Sequence, residues 1–191
     1  MTSPEIPQSL DDEERSFLLD LARTTIEARL VDRPLPHPQP WEGPLLEARG
    51  AFVTLKVDGS LRGCIGHVVG VMPLWQAVQE NAIAAGFRDP RFPPLEFKEL
   101  DTIHIEISAL TPLRRALPED VRVGRDGILV EHGASRGLLL PQVATEYGWN
   151  RDEFLDHTCR KAGLPAGCWK RTGTVISVFS AEVFGECEPA E

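Results

Sequence analysis

An α+β fold with mainly antiparallel sheet is the class this sequence predicts, on three observations. Its apolar, alternating runs come in pairs joined by short turns. Its helical patterns are grouped between those pairs, and nothing alternates as βαβ units do. Neither GxGxxG nor GxxxxGK(S/T) occurs, which removes the usual sequence case for a nucleotide-binding fold. With 191 residues and 42% hydrophobic content, the chain is long enough for one large domain or two small lobes with a proper core.

The first element is an amphipathic helix over "DDEERSFLLDLARTTIEARL". Leu18, Ala22, Ile26 and Leu30 recur there at helical spacing behind an acidic first turn, with Ser9 and Asp12 as the expected capping pair. In "RPLPHPQPWEGP" alternating prolines forbid helix and favour an extended, solvated, wrapping loop. "AFVTLKVDGSLRGCIGHV" is the clearest hairpin, because Asp58-Gly59 is a favoured two-residue turn between apolar runs. That turn predicts Val57 facing Ser60, Leu55 facing Arg62 and Val53 facing Cys64.

A second helix, "PLWQAVQENAIAAGF", is expected to start at Pro73 and stop at Gly86, burying Leu74, Val78, Ala82 and Ala85. "DPRFPPL" then reads as a rigid turn. "TIHIEISAL" alternates as a strand, with Ile103, Ile105 and Ile107 on one face and His104, Glu106 and Ser108 on the other. "GILVEHGASRGLLLP" predicts a hairpin with its tip around Gly133 to Gly137, followed by a helical region from about Pro141. Asn150 with Glu153 caps a further helix, "RDEFLDHTCRKAG", whose Phe154, Leu155, Thr158, Cys159 and Ala162 share a face and whose stop is Gly163. "TVISVFSAEVFGE" closes the chain as a strand bent near Ser180.

The formal net charge of −9, without a clustered basic stripe, argues against nucleic-acid and anionic-membrane binding, and a single tyrosine leaves no obvious stacking platform. The N-terminus lacks the cationic start and apolar core of a signal peptide, and no apolar run reaches membrane-spanning length, so a cytoplasmic protein is expected. Cys64, Cys159, Cys168 and Cys187 are widely spaced without CxxC or zinc-finger histidines. They are therefore expected to be free thiols, and no metal site is expected.

Chemistry concentrates at "LRGCIGHV". Strand alternation places Arg62, Cys64 and Gly66 on one face, Gly66 adds no side chain there, and Gly63 weakens the strand or permits a bulge. Across a Cα separation of roughly 7 Å, a guanidinium attracts a thiolate by about 1 kcal/mol, enough for a somewhat reactive thiol. A Cys64–His67 dyad requires a bulge or turn at Gly66. The bland alternative has Val53, Leu55 and Val57 burying Cys64 while Arg62 extends outward. Asp89 and Arg91 in the turn, with Arg88, either hold an anion or pair with one another. His104, Glu106 and Ser108 are a solvated sheet face or a polar wall opposite the cysteine. Cys159 reads as core, and Cys168 and Cys187 as ordinary loop and end-of-chain residues.

Taken in order, "GAFVTLKVDGSLRGCIG", "DPRFPPL", "IEISAL", "LLLPQVATEYGW", "FLDHTCRKAGL" and the closing "VFGE" resemble the AMMECR family, with its hallmark "LRGCIG" intact from Leu61 to Gly66. The resemblance implies a single domain of two unequal, mainly antiparallel lobes with flanking helices. The larger lobe holds both termini, the smaller comes from the middle of the chain, and the hallmark lies near the cleft between them. It also implies a pathway shared with a Memo-type protein and a radical SAM enzyme. On this reading Cys64 attacks or carries a small electrophilic or anionic substrate, and Arg62, Gly63, Gly66, Asp89 and Arg91 shape its binding site. The alternative is a non-catalytic ligand-binding or protein-interaction module, in which the glycines serve close backbone approach.

Overall fold

The computed structural model describes residues 9–38 and 43–186. The chain forms two compact units, one comprising the residues up to Pro112 together with those from Glu182 onward, the other Leu113–Ala181. Each unit is built on a four-stranded antiparallel sheet with helices packed on it.

In the first unit the elements are α1 (Asp12–Leu30), β1 (Ala51–Val57), β2 (Ser60–His67), α2 (Leu74–Phe87), β3 (Ile103–Leu110) and β8 (Ala181–Gly185), with strand order β2-β1-β3-β8. Alternation along β1 and β3 decides the core. Val53, Leu55, Ile105 and Ile107 are fully buried against Leu18, Ala22 and Ile26 of α1 and Leu74, Val78 and Ala82 of α2. Each such side chain contributes about 1.5–3 kcal/mol by leaving water.

Two local expectations shift. α1 is capped by Asp11, not Ser9. The Asp11 carboxylate accepts from the Glu14 N–H at 2.8 Å, and Glu14, long enough to reach back, accepts from the Asp11 N–H at 2.9 Å. α2 continues past Gly86 to Phe87, so this glycine does not end the helix. It is a packing residue, since a Cβ there would lie 2.9 Å from Leu95 Cδ1. Part of the expected proline-rich loop, residues 39–42, and Cys187 fall outside the described residues.

The second unit contains β4 (Arg114–Arg115), β5 (Gly127–His132), β6 (Ser135–Leu139), α3 (Pro141–Glu146), α4 (Arg151–Lys161) and β7 (Thr174–Phe179), with strand order β4-β7-β5-β6. Asn150 and Glu153 form the expected capping box of α4, and Gly163 leaves the helix at φ +74°. The β5–β6 turn lies at Gly133 and Ala134, so Gly137 belongs to β6 and not to the tip. Ser180 divides the closing segment into β7 and β8, which belong to different sheets; the expected bend is a break.

The expectation of free thiols throughout is corrected by a disulfide between Cys159 and Cys168, whose Cα atoms are 5.9 Å apart. Its physical origin is the return of the chain after α4. The short 3-10 helix Cys168–Lys170 buries Cys168 in the same core as Cys159. Asp156 anchors that return by accepting from the Gly167 N–H and from Trp169 Nε1, both at 2.7 Å.

Candidate functional site at Cys64

The turn of the β1–β2 hairpin is formed as the sequence requires, with Asp58 and Gly59 both at positive φ (50° and 72°). Beyond it the pairing departs from the predicted register. Val57 pairs with Ser60 and Lys56 with Leu61, but Leu55 then pairs with Gly63, Thr54 with Cys64 and Val53 with Ile65. The inserted residue is Arg62, beside the glycine whose lack of a side chain makes a bulge cheap.

The correction changes the setting of the cysteine. Cys64 faces Thr54, on the side of the sheet opposite the buried Val53 and Leu55, so those residues do not bury it. It is half-buried, and it is the free cysteine among the described residues. Thr54 Oγ1 donates to Cys64 Sγ at 3.3 Å. In the next strand Glu106 pairs with Thr54, placing Cys64, Thr54 and Glu106 in one cross-strand row; Lys56 Nζ meets Glu106 at 2.9 Å. The polar face of β3 therefore shares its side of the sheet with the cysteine.

Asp89 and Arg91 grip the backbone of Cys64 from the exposed edge of β2. The Cys64 N–H donates to Asp89 Oδ2 at 2.9 Å, and Arg91 Nη2 donates to the Cys64 carbonyl at 3.1 Å. Arg91 also forks onto Asp89, with Nε and Nη2 at 2.9 and 2.7 Å. That guanidinium is the main reason the buried Asp89 carboxyl is held well below the usual carboxylate range; the Cys64 and Arg91 backbone N–H groups add to it, against the opposing effect of burial. The expected pairing of the two residues is present, joined to the cysteine by its main chain.

Arg62 is committed elsewhere. Its Nε and Nη2 donate to the two carboxylate oxygens of Glu99 at 2.7 and 3.1 Å, and Nη1 to the Pro93 carbonyl at 3.0 Å. The pair lowers the Glu99 pKa, chiefly through the Arg62 hydrogen bond. Arg88 caps α2 through its own N–H, bonded to the Ala84 carbonyl.

Both glycines flanking the cysteine are explained by close approach. A Cβ on Gly63 would lie 2.2 Å from the Ala85 carbonyl oxygen of α2, and one on Gly66 2.4 Å from the Phe52 ring. Phe52 thus covers the strand next to Cys64. Pairing is regular from Val53–Ile65 to Ala51–His67, with no bulge at Gly66, so Cys64 and His67 occupy opposite faces and form no dyad. Thr54, Phe52 and Glu99 were not singled out by the sequence. The one signal available was Gly63 as a possible bulge, which moves Thr54 opposite the cysteine.

Among the described residues, no three His, Cys, Asp or Glu side chains gather as a metal site, and no helix is long and apolar enough to cross a membrane.

These features define a class: a two-unit, antiparallel α+β protein that displays a thiol on a glycine-flanked edge strand. The sequence model of the AMMECR1 family matches residues 19–184, and the chain belongs to that family. It is 43% identical over 189 residues to Protein MJ0810 of Methanocaldococcus jannaschii, covering 93% of this chain and 92% of that one. A protein of Methanothermobacter thermautotrophicus is 46% identical over 185 residues, covering 93% of this chain and 96% of its own. Among solved structures, the crystal structure of uncharacterized protein PH0010 from Pyrococcus horikoshii matches with a TM-score of 0.73 at 41% identity, over 93% of both chains.

Proposed function

We propose that the protein acts through Cys64 as a thiol-dependent enzyme or carrier for a small electrophilic, anionic substrate. The observation that carries this reading is the Thr54 hydroxyl donating to the sulfur of a half-buried, unbridged cysteine. Such a donor fixes the sulfur's orientation and is placed to stabilise charge on it. The sulfur lone pair forms a bond to an electrophilic carbonyl carbon as the C=O π bond opens onto its oxygen; that oxygen takes a proton from solvent, and the thiol proton leaves to solvent.

Arg91 suits the anionic group of the substrate better than Arg62 does. Its side chain is 53% exposed, and its Nη1 has no hydrogen-bond partner among the described residues, whereas Glu99 and Pro93 occupy Arg62. Asp89 holds Arg91 and the Cys64 backbone in place, while Gly63 and Gly66 keep the strand close to α2 and Phe52. The proposed partners are a Memo-type protein and a radical SAM enzyme, on the association that the family resemblance implies.

The test is alkylation of the folded protein by iodoacetamide across a pH series, followed by mass spectrometry. Cys64 is expected to react without unfolding, and Cys159 and Cys168 only after reduction. A Cys64 that stays protected until denaturation, or a Cys64→Ser protein indistinguishable in a pathway reconstituted with both partners, rejects the thiol reading.

One observation favours a second reading. Gly63 and Gly66 are required by packing alone, so the motif has a sufficient reason to exist in a non-catalytic module. Co-purification with either partner that persists undiminished in Cys64→Ser, without turnover by the isolated protein, supports the module.

A further inference from the structure

On the other face of β2, His67 borders a pocket separate from the Cys64 side. Its frame rests on two glycines. A Cβ on Gly50 would lie 2.2 Å from the Val68 carbonyl oxygen, and one on Gly70 2.4 Å from that of Ala48. Only glycine lets these stretches of backbone touch. The Ala48–Pro73 bridge and the Leu74 N–H bond to the Glu47 carbonyl at 3.0 Å hold the far end. The resulting pocket is about 140 Å³, close to the size of an apolar cavity that accepts benzene.

Its walls are chemically divided. Val69, Val71 and Met72 form an apolar side, and Val71 is 77% exposed at the surface. Asn81, His67 and Glu80 form the polar side. Asn81 is buried, and its Nδ2 donates to the Ala51 carbonyl at 3.0 Å. A carbonyl only accepts, so this bond fixes which end of the amide is which. The other end, Oδ1, is a buried acceptor with no donor among the described residues. Folded proteins rarely leave such an atom unsatisfied.

The surrounding charge selects the donor. Arg49 also lines the pocket, but its guanidinium is met by Glu47 at 2.7 Å and by Glu182 at 3.9 Å. Glu80 is the carboxylate of the lining itself, and it has no ion pair among the described residues.

We infer that this pocket binds a small molecule whose apolar body is about the size of one aromatic ring and which carries a protonated amine. The ammonium donates to Asn81 Oδ1 and pairs with Glu80, while the body lies against Val69, Val71 and Met72. The site is independent of the chemistry proposed for Cys64.

The experiment is a methyl NMR titration of the full chain with benzylamine, with benzoate as the charge-reversed comparator. Benzylamine is expected to give saturable shifts at the Val69, Val71 and Met72 methyls, with an affinity at least ten-fold above that for benzoate. Glu80→Gln, at an exposed position, is expected to weaken benzylamine three-fold or more with the methyl spectrum otherwise unchanged. Asn81→Leu removes the acceptor but also the bond to Ala51, so Glu80→Gln carries the test if that variant fails to fold. No saturable shift at those methyls, equal affinity for the two probes, or indifference to Glu80→Gln overturns the inference.

Discussion

The β1–β2 hairpin of the first unit and the β5–β6 hairpin of the second are built alike and finished differently. Each closes on a turn containing a positive-φ glycine, Gly59 or Gly133. Each outer strand presses a glycine against helix backbone: Gly63 against the Ala85 carbonyl at the end of α2, Gly137 against the Ala162 nitrogen at the end of α4. In β5–β6 the pairing runs unbroken from Ile128–Leu139 to His132–Ser135, whereas β1–β2 is interrupted at Arg62. The cysteines divide the same way. Cys159 and Cys168, in the core beneath the regular hairpin, are joined; Cys64, on the interrupted one, is free. Packing a hairpin on a helix thus supplies only a frame. The bulge and the Asp89–Arg91 turn convert an edge that could pair with another strand into a fixed position for one thiol.

The sharpest way to break this comparison is to add a methyl group at either glycine. Gly63→Ala and Gly137→Ala place a Cβ 2.2 and 2.3 Å from helix backbone atoms, which cannot swing aside as a side chain can. Each is expected to cost about 3 kcal/mol or more, at the upper end of overpacking effects, read from urea unfolding followed by circular dichroism. Tolerance of one but not the other would mean that the two hairpins do not share the device. Next in size is the Cys159→Ala, Cys168→Ala double variant. Releasing a cross-link between residues nine apart in sequence is expected to cost about 2–3 kcal/mol, while leaving the alkylation rate of Cys64 unchanged.

The two hairpins also show what was legible in the sequence. Local rules sufficed for the turn at Asp58-Gly59, the Asn150–Glu153 cap and the alternation of Ile103, Ile105 and Ile107, because each depends on neighbours within a few residues. The register beyond the turn did not follow from those rules. Whether Gly63 accommodates a bulge is decided by α2 approaching from residues 74–87, and a one-residue shift moved Thr54 opposite the cysteine in place of Val53. For the same reason the pairing of Arg62 with Glu99, separated by 37 residues, and the Cys159–Cys168 bridge were hidden: both depend on how the chain returns. The Asp89–Arg91 pair was visible as a turn, but its hold on Cys64 was not.

Asp89→Asn probes the edge clamp with a smaller effect. Asparagine retains one acceptor but turns an amide donor toward Arg91, and a loss of about 1–3 kcal/mol is expected at neutral pH. Because the folded-state pKa of Asp89 lies below its ordinary value of 3.8, its contribution is fully present above about pH 4 and is lost as the pH falls from there toward the folded value. The stability gap between the native protein and Asp89→Asn should therefore narrow between pH 7 and pH 3. A gap that stays constant would mean that the carboxylate's charge is not what holds the strand edge.

Thr54→Val tests the smallest and most local difference between the hairpins. Valine keeps the shape and the strand propensity of Thr54, so stability is expected to change by less than about 1 kcal/mol. What it removes is the hydroxyl 3.3 Å from the sulfur. If that hydrogen bond stabilises the reacting sulfur by the usual 0.5–1.5 kcal/mol, the iodoacetamide rate at Cys64 should fall by about two- to ten-fold at neutral pH. Thr54→Ser, which restores the hydroxyl, should recover most of it. A rate unchanged in Thr54→Val would mean that the hydrogen bond to the sulfur itself does not distinguish Cys64 from a cysteine merely left over at a half-buried strand position. A fall rescued by serine would tie the reactivity to the strand partner that the bulge at Arg62 puts in place.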